Sequence, residues 1–266
     1  MICSIYTNFW YYKLWKYLLS SMIIYYKYNI YNFFTPKTKT TMNIKNKVII
    51  ITGGTGGIWE AISLSLAEKW AKVVAVYKGN TEKAETFRDK ISRISSDFLI
   101  LRKDVTHDTE LEEIFTETVE HFWKPDILIN NAGGINKAER TTREKLEFGF
   151  NLNFFQVVLA TELFQKYRNQ QELWKIINIS SIAGVAPWTF TGWLRYPEYS
   201  CAKAAVDSYT KQCAKSFDGN ILVNAIAPGN VETPNWEGAD KDFCELRAQE
   251  SMINRFLEPR PRNYSW

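Results

Sequence analysis

Val48-Ile49-Ile50-Ile51-Thr52-Gly53-Gly54-Thr55-Gly56-Gly57-Ile58-Trp59 runs from a β-branched apolar stretch, through a glycine-rich turn, into a helical pattern. A strand with no polar alternation suits a parallel sheet buried on both faces. Glycines let the backbone turn tightly and come close to a pyrophosphate, whose charge a helix N-terminus favours. A tight strand–helix turn without a ligand is the alternative reading of this stretch alone. Outward from it, candidate strands recur at Lys72–Tyr77, Phe98–Arg102, Asp126–Asn130, Lys175–Ser180 and Leu222–Ile226. Helix-length segments separate them at 57–69, 81–94, 108–122, 139–169 and 199–217. This alternation predicts a single α/β domain with a doubly wound parallel sheet, and ligands at the carboxyl ends of its strands.

The chain has 266 residues, 45% hydrophobic and 23% charged, with net charge +4. Those values exclude a disordered, collagen-like or multi-pass membrane protein. Cys3, Cys201, Cys213 and Cys244 show no CxxC spacing, and the histidines are His107 and His121. Neither a disulfide framework nor a Cys/His metal site is expected, and the pattern suits a reduced, cytoplasmic protein. Residues 1–41 carry five lysines, no acid and 13 of the 40 aromatics. The basic balance of the chain therefore resides there, and no nucleic-acid partner is expected of the domain. The uncharged run between Lys16 and Lys27, Tyr17–Tyr26, is ten residues, far short of a membrane span. A membrane-surface helix is one reading of it. Upstream sequence translated ahead of a start at Met42 is the preferred one, which leaves 42–266 as the domain.

Further stretches follow in order, each at a strand end or helix start. Asp104-Val105 follows the third strand and Asn130-Asn131-Ala132-Gly133 the fourth. Ile176–Gly184 (IINISSIAG) spans the fifth, Tyr199-Ser200-Cys201-Ala202-Lys203 opens the last helix, and Asn224–Gly229 (NAIAPG) spans the sixth. With the glycine turn, this set resembles the short-chain dehydrogenase/reductase family from Met42 to about Pro259. In motif style it is closest to 3-oxoacyl-[acyl-carrier-protein] reductases. The resemblance implies a Rossmann-type fold and an oxidoreductase interconverting a carbonyl and a secondary alcohol on a small substrate, with an acyl thioester as one candidate. It also implies cofactor contacts at Gly53, Thr55, Gly57, Ile58, Asp104, Val105, Asn131, Ala132, Gly133, Tyr199, Lys203, Pro228, Gly229 and Thr233. Homo-oligomers are usual in the family. NAD-binding sites usually place an acid about 20 residues beyond the glycines. Here Tyr77-Lys78-Gly79-Asn80 offers no carboxylate, and Lys78 can neutralise a 2′-phosphate, so NADP(H) is expected ahead of NAD(H).

Tyr199 and Lys203 are four apart on a helix and share a face. A phenol near pKa 10 is a poor acid–base group until an ammonium stabilises its phenolate. The resemblance assigns the proton on the substrate oxygen to Tyr199. Lys203 is to lower that phenol's pKa, Ser181 to bond the substrate carbonyl, and Asn151 to support a proton-relay water. Tyr196, seven before Lys203, has the spacing of the enoyl-reductase branch and is the alternative phenol. Trp188–Arg195 reads as an inserted loop, which lengthens the path from Ser181 to Tyr199 to 18 positions.

The pattern breaks at tryptophan. Glycine is scarce, 13 of 266, while there are ten tryptophans. Trp70, Trp123 and Trp174 each stand between a helix and a strand, where a residue with positive φ, normally glycine, is expected. Trp59 takes the third glycine position of the fingerprint, where an indole should crowd the helix against the sheet or the cofactor. Four tryptophans at glycine positions point to UGA codons read as tryptophan, with Trp188, Trp193 and Trp236 as further cases. A non-catalytic Rossmann-fold binding or scaffold protein is the competing reading. Beyond Pro259 the family pattern stops, so the last helix and seventh strand are expected to be missing, along with an oligomer surface.

Overall fold

The computed structural model describes residues 43–135, 141–168, 174–185, 196–217 and 221–229, together with 231, 241 and 245. The chain divides at Asn43/Ile44, and the second unit is the subject below. The extension 1–41, the loop Trp188–Arg195, Thr233, Trp236 and the segment around Pro259 lie outside the described residues.

Among the described residues six strands form one sheet: β1 Val48–Thr52, β2 Lys72–Tyr77, β3 Phe98–Arg102, β4 Ile127–Asn130, β5 Trp174–Ile179 and β6 Ile221–Ile226. Their order is β3-β2-β1-β4-β5-β6, and every pairing is parallel. The helices between them are α1 Ile58–Glu68, α2 Thr81–Ser92, α3 Asp108–Phe122, α4 Thr142–Phe150, α5 Gln156–Tyr167, α6 Ile182–Val185 and α7 Pro197–Ser216. This is the doubly wound Rossmann-type architecture. Alternation along β1 explains its unbroken apolar sequence. Val48 and Ile50 enter a core with Phe115, Ala160, Phe164 and Cys213, while Ile49 and Ile51 enter a second core with Ala67, Phe87 and Ile91. Both faces of the strand are buried, so no position is left for a polar residue.

Chain reversal occurs between β1 and β4, where the order runs outward in both directions. That switch point places the ends of β1, β4 and β5 around one crevice.

Three expectations need correction. The helix expected over 139–169 is interrupted: α4 ends at Phe150, and a π-helical turn, Asn151–Phe155, joins it to α5. The short helix α6 was not foreseen. Trp174 is the first residue of β5, paired with Ile221 and buried beneath the Arg168 guanidinium, 3.8 Å from its ring centroid. Trp70 (φ 64°) and Trp123 (φ 80°), by contrast, do occupy the left-handed region at the ends of α1 and α3. Among the described residues they and Asn46 are the only non-glycines there. Trp59 is half-buried and packs against the core that holds Ile49 and Ile51.

Candidate active site

Thr52, the last residue of β1, ties two of the motifs together. Its Oγ1 accepts from the backbone N–H groups of Asn131 and Ala132, both at 2.9 Å. Asn131 returns the contact, donating from Nδ2 to the carbonyls of Thr52 (2.8 Å) and Gly53 (3.2 Å). The Asn131 amide is thus spent inside the protein, joining the NNAG turn to the glycine turn. A Cβ on Gly53 would sit 2.9 Å from that Nδ2, and its φ of +69° is itself unfavourable for other residues. Thr52 was not singled out from sequence, because a threonine closing a strand carries no signal until its partner strand is known.

On its outer side the glycine turn is open. A Cβ added to Gly56 would meet nothing within 4 Å. Gly57 caps α1, and no side chain bonds the helix start. Thr55 beneath it is buried, and Ile58 opens α1. An uncapped helix N-terminus under an open glycine turn is what a pyrophosphate requires. Val105 is buried beside Asp104 at the end of β3. Burial pushes the Asp104 carboxyl up, but hydrogen bonds from Lys78 and Thr106 outweigh it and hold the group below the ordinary carboxylate range. Arg102, unremarked in the sequence, donates from Nε to the Lys78 carbonyl at 3.4 Å, adding a second cation at this end of the sheet.

At the other end of the crevice α7 brings Tyr199 and Lys203 together with Ser181. The Ser181 hydroxyl lies close enough to the Tyr199 phenol to lower its pKa, so the 18 intervening positions do not separate them. α6 turns back directly after Ser181, whose Oγ also accepts from Ala183 N at 3.2 Å. Ile182 N donates to the Pro228 carbonyl at 3.0 Å, which draws Pro228-Gly229 alongside. Tyr196 precedes the first residue of α7, and its neighbour Pro197 suits a first helical position.

Lys203 is almost fully buried and donates from Nζ to the Ile179 carbonyl at 2.6 Å. Its Nζ lies 5.8 Å from the centroid of the Tyr199 ring. Burial lowers its pKa to about 8, with the Asp207 carboxylate opposing. The expectation that Lys203 lowers the Tyr199 pKa is corrected here. Burial raises the phenol, the nearby Ser181 hydroxyl offsets part of that rise, and the ammonium is directed at a carbonyl instead. Gly133 packs between the motifs: a Cβ there would lie 2.7 Å from Asn153 Oδ1 and 3.3 Å from Lys203 Nζ.

Asn151 opens the π-helical turn with an exposed side chain. Two residues on, Asn153 is fully buried and does what sequence did not suggest. Its Oδ1 accepts from Gly134 N (2.9 Å), and its Nδ2 donates to the carbonyls of Gly134 (3.0 Å) and Gly149 (2.9 Å). Both polar groups of Gly134 are therefore held by one amide. Asn130, Asn178 and Thr210 form a second buried chain across β4, β5 and α7, with links of 2.9 Å. Among the described residues no group of three or more His, Cys, Asp or Glu could hold a metal ion. No described helix is long and apolar enough to cross a membrane.

The donor set suits a dinucleotide laid across the crevice: an uncapped helix start under an open turn, an acid and two cations at one end, and a buried lysine with a phenol at the other. Comparison with known proteins agrees. Residues 47–242 match the family described as short chain dehydrogenase. The oxidoreductase YhdF of Bacillus subtilis is 34% identical over 195 residues, which are 72% of this chain and 65% of that protein. The 3-oxoacyl-[acyl-carrier-protein] reductase FabG of Thermotoga maritima is 31% identical over 227 residues, 82% of this chain and 87% of that one. Among solved structures, L-sorbose reductase from Gluconobacter frateurii, complexed with NADPH and L-sorbose, is similar with a TM-score of 0.73 and 27% identity. That match covers 82% of this chain and 88% of the other. Sheet order, crevice and sequence relationship converge, and the chain belongs to the short-chain dehydrogenase family of oxidoreductases.

Proposed function

We propose that this protein is an NADP(H)-dependent reductase that converts a carbonyl to a secondary alcohol, with a 3-oxoacyl thioester as the leading substrate class. The observation that carries the reading is the grouping of Ser181, Tyr199 and the buried Lys203 at one end of the crevice, with Lys203 Nζ 5.8 Å from the Tyr199 ring centroid. A bound reduced nicotinamide supplies the hydride, so the protein provides position and proton transfer. Tyr199, with its pKa raised, is held protonated and is the form that can donate to an oxygen gaining negative charge. Ser181 Oγ bonds the same oxygen and orients the carbonyl. Lys203, anchored on the Ile179 carbonyl, brings a positive charge to this end of the crevice for contact with the bound cofactor. Asn151 stands at the start of the π-helical turn for the relay role, a kind of helix distortion frequent at functional sites.

Lys78 and Arg102 support NADP(H), since two cations stand at the ends of β2 and β3 and no carboxylate follows β2 in Tyr77-Lys78-Gly79-Asn80. The NADPH complex of the sorbose reductase and the similarity to FabG support the same cofactor and the thioester. The Ser181–Tyr199 contact favours Tyr199 over Tyr196. The test follows NADPH consumption with a 3-oxoacyl thioester, an enoyl thioester and a ketose. Turnover of the 3-oxoacyl substrate that disappears in Tyr199→Phe supports the reading. Turnover of the enoyl substrate alone, or none with NADPH bound, overturns it.

A further inference from the structure

The acid that the family resemblance places against the cofactor's adenine, Asp104, and the base expected to meet the 2′-phosphate, Lys78, are bonded to each other. Lys78 Nζ lies 2.5 Å from Asp104 Oδ2. The other carboxylate oxygen, Oδ1, accepts from Thr106 N at 3.0 Å and from Thr106 Oγ1 at 2.7 Å. Oδ2 is therefore the oxygen with acceptor capacity left for an adenine amino group, and the Lys78 ammonium stands against it and takes part of that capacity. The two partners differ in freedom. The Asp104 side chain is 11% exposed and braced by Thr106, while that of Lys78 is 63% exposed. Lys78 is the member that can swing away. His107 cannot replace it without leaving Glu110: its Nδ1 is 3.0 Å from Glu110 Oε1 and 4.0 Å from Asp104 Oδ2.

We infer that Lys78 acts as a latch over Asp104, released when its ammonium exchanges the carboxylate for a 2′-phosphate, so that one movement both binds the phosphate and frees Oδ2 for the adenine. This deepens the NADP(H) reading and rests on it. An ammonium–phosphate contact is charge-assisted and meets a doubly charged group, whereas a half-exposed ammonium–carboxylate pair is worth little. The exchange therefore runs toward the phosphate. A dinucleotide with a 2′-hydroxyl has nothing to draw the ammonium away, and it must displace Lys78 from Oδ2 without return. Selectivity then has two parts: a gain for NADPH and a penalty on NADH, both carried by one side chain.

The test is fluorescence titration of NADPH and NADH binding, with no substrate present, in the wild type, Lys78→Met and Asp104→Asn. Lys78→Met is expected to weaken NADPH by about tenfold or more. It is expected to tighten NADH by roughly two- to fivefold, the range of a partly exposed ion pair. In an Asp104→Asn background the gain for NADH should vanish, because the latch has no keeper. Weakened NADPH with unchanged or weakened NADH overturns the latch and leaves the 2′-phosphate reading in place. A gain for NADH that persists in Asp104→Asn also overturns the latch. NADPH binding indifferent to Lys78→Met, or absent from the wild type, overturns the cofactor reading and the latch together.

Discussion

Lys203 Nζ lies 5.8 Å from the centroid of the Tyr199 ring, yet its hydrogen bond runs to the Ile179 carbonyl at 2.6 Å. The pair share a helical face, as a four-residue spacing requires, but burial dominates both groups and moves them in opposite directions. The phenol is held neutral at every working pH, while the ammonium loses its proton from about pH 8.

The alkaline limb of activity is therefore expected to belong to Lys203. With its charge required, kcat/KM should fall above pH about 8, by roughly tenfold per pH unit. Lys203→Arg should carry that limb upward, since a guanidinium stays charged. Stability follows the same group with a definite sign. The fold lowers this pKa from 10.5 to about 8, so between those values the unfolded chain binds more protons and stability rises with pH. Below about 8 the burial penalty is present in full. Steady-state rates and denaturant midpoints across that range check both statements, and a limb unmoved in Lys203→Arg counts against the assignment.

Ser181→Ala should lower kcat by about 10²-fold, the usual loss when one preorganised hydrogen bond to a developing oxyanion is removed. Tyr199→Phe should lower it further while leaving NADPH affinity within about threefold, because the phenol acts on the transition state. Tyr196→Phe should retain turnover. Single-turnover rates for the three variants discriminate them. A Tyr196→Phe protein as inactive as Tyr199→Phe would favour the enoyl-reductase arrangement.

Trp70 and Trp123 hold φ of 64° and 80° with their indoles 69% exposed. The left-handed region costs a residue with a Cβ about 1–2 kcal/mol, and an exposed indole returns little of that. Trp70→Gly and Trp123→Gly should each stabilise the fold by about 1 kcal/mol, and the gains should add. Urea unfolding of the two single variants and the double variant measures this. UGA codons at both positions would mean that glycine is the encoded residue; UGG codons would remove that explanation and leave the backbone strain.

Asn153→Ala should destabilise the protein by about 1–3 kcal/mol, since it removes the partner of the part-buried N–H and carbonyl of Gly134 and of the buried Gly149 carbonyl. Cofactor affinity should fall with it as the NNAG turn loosens. Asn151→Ala, on an exposed side chain, should change stability by less than about 0.5 kcal/mol. If the loss of kcat in Asn151→Ala is nevertheless large, the relay role stands apart from any structural one. Thermal unfolding paired with kinetics separates the two.

Strands β1 to β3 could be delimited to the residue from their apolar runs: β1 and β2 are buried on both faces and leave little room for polar residues, and the ends of all three are marked by glycine, lysine or aspartate next to the run. The interruption at Asn151–Phe155 had no such mark. The segment Phe150–Phe155 is aromatic and amphipathic in either helical register, and the π-turn depends on how α4 and α5 pack around it. Trp174 shows the same limit: next to Lys175 it looks like a helix end, but pairing with Ile221 makes it a strand residue.

Chemistry divides along the same line. Which residues carry donors, acceptors and charge, and that a phenol and an amine fall on one helical face, are properties of covalent structure and helical period, legible from the order of residues. Which oxygen a lysine bonds is a property of long-range packing. Lys203 reaching Ile179, Lys78 covering Asp104, and Asn153 clasping Gly134 each join parts of the chain 19 or more positions apart. Burial then decides the direction of each pKa, and burial exists only once the sheet and its two helical layers have closed.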